Sequence, residues 1–158
     1  MDSAAERLLD DYRRAGLRLA TAESCTGGLV AACLTEIAGA SHVVERGFVT
    51  YSNESKTELL GVPAELLRRH GAVSPETAGA MAEGALARSR ADVAVAVTGI
   101  AGPGGATPGK PVGLVFLAAA RKDAGTTVER HVFAGDRRAV RLAAVAAALA
   151  LLGRRLAG

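Results

Sequence analysis

The chain contains no tryptophan, and aromatic residues make up only 3% of its 158 positions. Proteins that bind nucleic acids often combine a clustered basic surface with aromatic side chains on which bases stack. Here the basic residues are scattered in doublets, and the formal net charge is only +3. We therefore expect no nucleic-acid partner and a core built from alanine, leucine and valine.

Cysteine is also scarce, since Cys25 and Cys33 are the only two in the chain. Their spacing matches neither a CxxC pair nor a Cys/His zinc motif, and a single pair does not make a disulfide framework. The sequence thus predicts a reduced, cytoplasmic protein. We expect it to need neither a metal nor another cofactor.

No apolar stretch is long enough for a membrane-spanning helix, because the most apolar one, 142–152, falls well short of the ~20 residues required. The chain begins Met-Asp-Ser-Ala-Ala-Glu-Arg, which does not resemble a signal peptide. We expect no membrane partner. The length fits one domain over 1–158, because domains commonly hold ~100–200 residues.

The order of apolar patterns predicts the elements α, βα, βααα, β, β, β, α. The continuous apolar run 92–98 is typical of a strand covered by helices on both faces. This order predicts an α/β domain, a three-layer α/β/α sandwich around a mixed, mostly parallel sheet. The last helix, from 137 to about 156, is apolar on several sides, so it is either buried or packs against a second copy. We expect a homodimer.

Local signals set the predicted boundaries. Asn53 is predicted to cap a helix over 54–60, and Asp136 to cap the last helix, because short polar side chains are favoured at that position. The other predicted elements are a helix over 2–15, a strand over 17–20, a helix ending near 38, a strand over 48–52 and an edge strand over 126–133.

One stretch, 21–28, reads Thr-Ala-Glu-Ser-Cys-Thr-Gly-Gly and joins a predicted strand to a predicted helix. The first N–H groups of a helix lack intrahelical partners, so they can receive an anion or an oxyanion. Ser24 and Thr26 supply hydroxyls, and Gly27 and Gly28 allow a ligand to approach the backbone. The alternative interpretation is an ordinary hydroxyl-capped helix start.

Lys56 lies in the first turn of a predicted helix, where a cation opposes the helix dipole. A lysine acts as a base only when neutral, so its pKa of ~10.4 must fall towards 7. Burial and the positive end of a helix both lower it. The alternative is an exposed lysine with its ammonium in water.

A serine hydroxyl needs a base, and no convincing Ser/His/Asp set is present. We interpret His42, His70 and His131 as surface or capping residues. Lys56 is therefore the base that we pair with Ser24. Tyr51 either holds this lysine, relays a proton or is simply a core aromatic.

A third loop, 98–111, is rich in glycine and proline, and long loops in compact domains are often functional. Ligands in α/β sheets bind beyond the carboxyl ends of the strands. We expect this loop to meet two turns there, the turn at Ser24 and the turn at 51–56. Arg137 and Arg138 lie at a helix start, against the dipole. An anion bound there, or simple capping by Asp136, accounts for them equally well.

Several motifs in order resemble the CinA C-terminal domain family, in particular its free-standing nicotinamide mononucleotide amidohydrolases. They span almost the whole chain: 21–28 (TAESCTGG), 47–56 (GFVTYSNESK), 60–63 (LGVP), 70–74 (HGAVS), 97–103 (VTGIAGP) and 110–113 (KPVG). Where the family typically reads Gly-Pro-Asp-Gly-Gly, residues 102–106 read Gly-Pro-Gly-Gly-Ala.

The resemblance implies hydrolysis of the carboxamide of nicotinamide mononucleotide in pyridine nucleotide recycling, with no metal. It implies Ser24 as the nucleophile, Lys56 as the base and Tyr51 as an assisting residue. Further implied substrate contacts are Thr98 and Gly99 in the third loop, with Arg137 and Arg141 for the phosphate. A non-catalytic nucleotide-binding module remains the alternative function.

Overall fold

Over residues 2–158, the computed structural model contains six α-helices and five strands in the predicted order. The helices are α1 (Asp2–Ala15), α2 (Leu29–Thr35), α3 (Asn53–Leu60), α4 (Ala64–His70), α5 (Pro75–Ala87) and α6 (Arg137–Arg155). The strands are β1 (Leu19–Glu23), β2 (Val44–Val49), β3 (Val93–Gly99), β4 (Leu114–Arg121) and β5 (Gly125–Val132). A short 3₁₀ helix, Ala40–His42, precedes β2.

The five strands form one sheet in the order β2-β1-β3-β4-β5. The strand β1 pairs in parallel with β2 and with the central strand β3. The strand β4 pairs antiparallel with both β3 and β5. Four strands therefore run in one direction and only β4 is reversed, which confirms the predicted mixed, mostly parallel sheet.

Helices cover both faces of this sheet, which confirms the three-layer sandwich. One core cluster joins one face to α1, α2 and α6, and the other joins the opposite face to α3, α4 and α5. Parallel strands buried on both faces read as continuous apolar runs. This is why the sequence of β3 carries no polar alternation.

The two faces of the sheet differ in side-chain size. The face towards α1, α2 and α6 presents mostly valine and leucine from the three central strands: Leu19, Val93, Val95, Val97, Val115 and Leu117. The face towards α3, α4 and α5 presents mainly alanine: Ala20, Ala22, Ala94, Ala96, Ala118 and Ala120. Short side chains let α5 lie close to the sheet.

Two strand boundaries differ from the sequence expectation. The first strand begins at Leu19 rather than at 17, and the second spans Val44–Val49 rather than 48–52. The register between them explains both, because Leu19 pairs with Val44 and Glu23 with Val49. Tertiary pairing therefore overrides the local β-branched signal at 48–52.

Two helix boundaries differ as well. Ser52, not Asn53, caps α3, and its hydroxyl accepts a hydrogen bond from the Ser55 N–H at 3.1 Å. The helix α2 ends at Thr35 rather than near 38, since Gly39 adopts a left-handed φ of 85° before the 3₁₀ helix. Asp136 caps α6 as predicted, accepting from the Ala139 N–H at 2.9 Å.

The final helix α6 buries its apolar side within its own chain, against the sheet, α1 and α2. Its apolar composition is thus accounted for without a second copy, and the homodimer stays a prediction. Within residues 2–158, no helix combines the length and the apolar character that a bilayer span requires.

The contact between α3 and α5 depends on Gly84. A Cβ at this position would lie 1.9 Å from the Leu60 carbonyl oxygen. We expect Gly84→Ala to destabilise the fold by about 1–3 kcal/mol through overpacking. Gly79 on the same helix is the matched control, because its Cβ would lie 3.8 Å from Val128 Cγ2.

Gly79→Ala should instead stabilise the protein by up to about 1 kcal/mol, as alanine is the better helix former. Urea unfolding of the two variants measures the difference. Equal stabilities for both would contradict the close approach at Gly84.

Candidate active site

The carboxyl ends of β1, β2 and β3 meet at one edge of the sheet because these neighbouring strands are parallel. The ladder continues past the end of β1. The Ser24 N–H donates to the Val97 carbonyl at 2.9 Å, and the Thr50 N–H donates to the Glu23 carbonyl at 2.9 Å. The turn that holds Ser24 therefore lies between the ends of β2 and β3. The 51–56 turn follows β2 and the 98–111 loop follows β3, so all three begin at the sheet edge where the sequence analysis expected them to meet.

The alternation of side chains along β1 directs Ser24 towards α3. Ala20 and Ala22 face the layer of α3, α4 and α5, and Ser24 continues the same alternation. Lys56 on α3 lies in that layer, and its Nζ is 3.0 Å from Ser24 Oγ. The structure thus brings together the predicted nucleophile and the predicted base.

Lys56 is almost completely buried, with only 1% of its surface exposed. Its Nζ also donates to the backbone carbonyls of Thr50 at 2.8 Å and Tyr51 at 3.1 Å. None of the ion pairs within residues 2–158 involves Lys56. Burial lowers the pKa of this amine from its ordinary 10.5, against a weaker opposing influence of Cys25.

The three contacts of Lys56 Nζ can be made by an ammonium, which donates to all three oxygens, or by a neutral amine. A neutral amine has two hydrogens and one lone pair, and two backbone carbonyls can only accept hydrogens. With both hydrogens directed to Thr50 and Tyr51, the lone pair remains for the hydrogen of Ser24 Oγ. This is the geometry that a general base requires.

Glu23 is a functional candidate that the sequence analysis missed. Its carboxylate is 1% exposed and accepts from the N–H groups of Val30 at 2.9 Å and Ala31 at 3.0 Å. It also accepts from the Thr26 hydroxyl at 2.6 Å. A buried carboxylate must be hydrogen-bonded, and an acidic residue in an otherwise uncharged strand was the available signal.

This arrangement corrects the expectation that the first N–H groups of α2 are free for an anion. Glu23 occupies the N–H groups of Val30 and Ala31, and the Thr26 hydroxyl is directed to Glu23 rather than to a substrate. The backbone N–H of Thr26, by contrast, donates to no acceptor within residues 2–158.

The backbone and the side chain of Tyr51 make separate contacts. Its backbone carbonyl holds Lys56, whereas its side chain is 62% exposed and its hydroxyl accepts from Arg137 Nη2 at 3.1 Å. Arg137 Nη1 also donates to the Gly102 carbonyl at 2.9 Å. Arg137 thereby links the turn that holds Tyr51, between β2 and α3, to the 98–111 loop.

A cleft of about 520 Å³ lies beside Arg137. It is formed by the third loop and the start of α6, and its other lining residues are Ala101, Pro103, Val112, Gly135, Asp136 and Arg138. Asp136 caps α6 rather than pairing with either arginine. Both arginines line this cleft, and neither forms an ion pair with a carboxylate in the described part of the chain.

The remaining predicted contacts have mainly backbone partners. The hydroxyl of Thr98 donates to the Ala72 carbonyl at 2.8 Å, and a Cβ at Gly99 would lie 2.8 Å from the Leu114 carbonyl oxygen. Gly28 has a left-handed φ of 108° as the N-cap of α2. Gly27 is exposed and also left-handed, with a φ of 57°.

Cys25 follows Ser24 but is not activated, because burial raises the pKa of its thiol to about 11. The histidines lie elsewhere: His42 is in the 3₁₀ helix, His70 ends α4, and His131 lies on β5 beside Glu129. Within residues 2–158, no group of three or more His, Cys, Asp or Glu side chains is placed to hold a metal ion.

The chain thus combines an α/β/α sandwich with a serine and a buried lysine that meet at one edge of the sheet. Its sequence also matches a protein-family model. Residues 1–156 match the model of the CinA C-terminal domain. The chain belongs to the CinA C-terminal domain family.

Curated relatives agree with this assignment. A putative competence-damage inducible protein of Symbiobacterium thermophilum is 54% identical over the whole of this chain, which covers 38% of that protein. A CinA-like protein of Geobacter sulfurreducens is 51% identical over 99% of this chain, which covers 37% of it. The chain thus spans little more than a third of the length of these relatives.

Solved structures of similar size also match. The competence/damage inducible protein CihA of Agrobacterium tumefaciens superposes with a TM-score of 0.96 at 51% identity, covering 99% of this chain and 95% of that one. A CinA superfamily protein of Klebsiella pneumoniae gives a TM-score of 0.94 at 40% identity, covering 99% and 97%.

The lowered pKa of Lys56 makes stability depend on pH. Between that pKa and 10.5, the unfolded chain holds a proton on Lys56 that the folded chain does not, so stability rises with pH. Relative to a Lys56→Met variant, the protein should gain up to about 1.4 kcal/mol of unfolding free energy per pH unit in this window.

Urea unfolding between pH 7 and 10 measures this difference. Lys122→Met is the matched control, since Lys122 is exposed and its removal should leave the pH profile unchanged. Parallel profiles for the protein and Lys56→Met would show that the buried amine is charged in both states.

Proposed function

We propose that this chain is an amidohydrolase in which Ser24 is the nucleophile and Lys56 its general base. The observation that supports this most directly is the buried Lys56 amine, bonded to two carbonyls and lying 3.0 Å from Ser24 Oγ. A serine hydroxyl needs an adjacent base, and a lysine serves only when its environment favours the neutral form. The burial of Lys56 favours the neutral form, because it lowers the pKa of the amine.

The proposed substrate is the carboxamide of nicotinamide mononucleotide, and the products are nicotinate mononucleotide and ammonia. The names of the relatives state no reaction, so this choice rests on the motif resemblance and on the cleft beside Arg137. A guanidinium group binds phosphate through paired hydrogen bonds. Arg137 and Arg138, which line the cleft, are suited to the phosphate of a mononucleotide.

In the first half of the reaction, Ser24 Oγ transfers its proton to Lys56 Nζ and attacks the carboxamide carbon. The carbonyl oxygen becomes an oxyanion, which needs N–H donors placed to receive it. The intermediate then collapses as its C–N bond breaks. Lys56 returns the proton to the departing nitrogen, which leaves as ammonia, and an ester to Ser24 remains.

In the second half, a water molecule attacks this ester while Lys56 Nζ takes one of its protons. The bond between the carbon and Ser24 Oγ breaks, and Lys56 returns the proton to that oxygen. The nucleotide leaves as the acid, and the serine and the amine regain their starting states. Tyr51 contributes its carbonyl, which orients the amine, and its hydroxyl positions Arg137.

Ammonia release from nicotinamide mononucleotide tests the proposal. Ser24→Ala and Lys56→Ala should each lower kcat by at least about 10³-fold, and the double variant should be no worse than either, because the two groups act as a unit. Ser41→Ala and Lys122→Ala are exposed controls that should retain full activity.

Unchanged turnover in Ser24→Ala would remove the mechanism. Tight binding of the mononucleotide by the unmodified protein without any ammonia release would instead identify a non-catalytic nucleotide-binding module. Calorimetric titration with the mononucleotide, run beside the ammonia assay, distinguishes these two outcomes.

The proposed role of Arg137 has its own test. Arg137→Ala should raise KM for the mononucleotide by about 10–100-fold, since a hydrogen bond to a charged group contributes ~1.5–3 kcal/mol. KM for the riboside, which lacks the phosphate, should change little. An equal loss with both substrates would show that Arg137 acts on the fold of the loops rather than on phosphate.

A further inference from the structure

Tyr51 is the only exposed residue among the two tyrosines and three phenylalanines of the chain, all of which lie within residues 2–158. It is 62% exposed, and its own carbonyl accepts from Lys56 Nζ at 3.1 Å. Single exposed apolar side chains are ordinary on protein surfaces. This ring differs from them because it belongs to a residue that contacts the proposed base.

The Tyr51 ring is also fixed at its far end. Its hydroxyl accepts from Arg137 Nη2 at 3.1 Å, and Arg137 Nη1 donates to the Gly102 carbonyl at 2.9 Å. A tyrosine that is bonded at both its carbonyl and its hydroxyl has little freedom to turn. A ligand that contacts this ring therefore loses little further entropy by ordering it, although most of the residue stays open to solvent.

Tyr51 connects the two ends of the proposed substrate site. At its backbone end lies Lys56 Nζ, which is 3.0 Å from Ser24 Oγ, where the carboxamide has to be placed for attack. At its hydroxyl end lies Arg137, which lines the cleft and is proposed for the phosphate. The ring between these ends lies where the middle of a mononucleotide would pass.

Arg141, the second arginine that the family resemblance implies for the phosphate, is used differently. Its Nε donates to the Cys25 carbonyl at 3.0 Å, and its Nη2 donates to the Thr26 carbonyl at 3.2 Å. Both of these nitrogens therefore hold the backbone of the nucleophile turn. Arg137, which contacts the Tyr51 hydroxyl, remains at the phosphate end of the proposed site.

We propose that the ring of Tyr51 is the surface on which the pyridinium ring of the substrate stacks. The proposal rests on the amidohydrolase function and assigns a side chain to the part of the substrate between its carboxamide and its phosphate. The pyridinium ring is planar and positively charged, because its nitrogen carries the ribose. Aromatic faces stack on planar rings and attract cations.

Steady-state kinetics with nicotinamide mononucleotide test the role of the ring. Tyr51→Leu removes the ring and should raise KM by about 10–100-fold, which is the usual effect of losing one stacked base. Tyr51→Phe keeps the ring and loses only the hydroxyl, so its KM should stay within about threefold. Val132→Ala, which shortens an exposed apolar side chain on the far edge strand β5, should leave both kcat and KM unchanged.

An unchanged KM in Tyr51→Leu would overturn the inference. A KM raised equally in Tyr51→Phe and Tyr51→Leu would also overturn it, because the hydroxyl and not the ring would then account for binding.

Tyrosine fluorescence gives a readout that needs no turnover. The chain has no tryptophan, and its other tyrosine, Tyr12, is fully buried with its hydroxyl donating to the Leu152 carbonyl at 2.6 Å. A pyridinium ring in contact with an excited phenol quenches its emission, so titration with nicotinamide mononucleotide should quench the Tyr51 emission. Tyr51→Phe retains only Tyr12 and is the matched control for light that the ligand itself absorbs.

The two assays together separate this inference from the proposed function. Quenching in the unmodified protein but not in Tyr51→Phe, without any ammonia release, supports the stacking and rejects the amidohydrolase. Ammonia release with the same emission change in both proteins rejects the stacking and leaves the amidohydrolase in place.

Discussion

The buried amine of Lys56 is the constraint to which the rest of the site is fitted. A carboxylate 4 Å away would interact with its ammonium by about 4 kcal/mol at an effective dielectric constant near 20. That is about the free energy needed to move a lysine pKa from its usual value to neutrality. A single acidic neighbour would thus offset the effect of burial, and the contacts of Lys56 with two carbonyls and a hydroxyl avoid it.

The chain does place a buried carboxylate nearby, but on the opposite side of the strand. Glu23 and Ser24 are neighbours in sequence, and the alternation of a strand directs them to different layers. Glu23 faces α2, which supplies N–H donors, whereas Ser24 faces α3, which supplies the amine. One strand end therefore keeps the Glu23 carboxyl group apart from the Lys56 amine, and no ion pair forms between them.

The order of elements and the layers were predictable from the sequence. Topology also brings two strand-to-helix turns on neighbouring parallel strands to the same sheet edge, which supports pairing Ser24 with Lys56. The contact between their side chains depends on tertiary structure, and the sequence alone did not establish it. The start of β2 was not predictable, because it depends on the register with β1 rather than on local propensity. The cap of α3 was misplaced by one residue, since Ser52 and Asn53 are both good caps and only the backbone path decides between them.

The partners of individual hydrogen-bond donors and acceptors were the features of the site that the sequence predicted least well. Thr26 and Thr98 carry hydroxyls in the expected loops, yet both are directed to protein acceptors. Tyr51 acts on Lys56 through its carbonyl, which residue type alone cannot reveal. Glu23 could have been recognised, because an acid within an apolar strand requires buried donors. Which helix provides them depends on tertiary structure.

The unequal faces of the sheet have a consequence for how sequence change is tolerated. On the valine and leucine face, an added methyl group meets α1, α2 or α6, none of which carries Lys56. On the alanine face, the same addition meets α5. The helix α5 is in close contact with α3 at Gly84, where there is no room even for a Cβ, and α3 carries Lys56. Added volume on the alanine face is therefore transmitted towards Lys56, whereas on the other face it acts on helices that do not carry the amine.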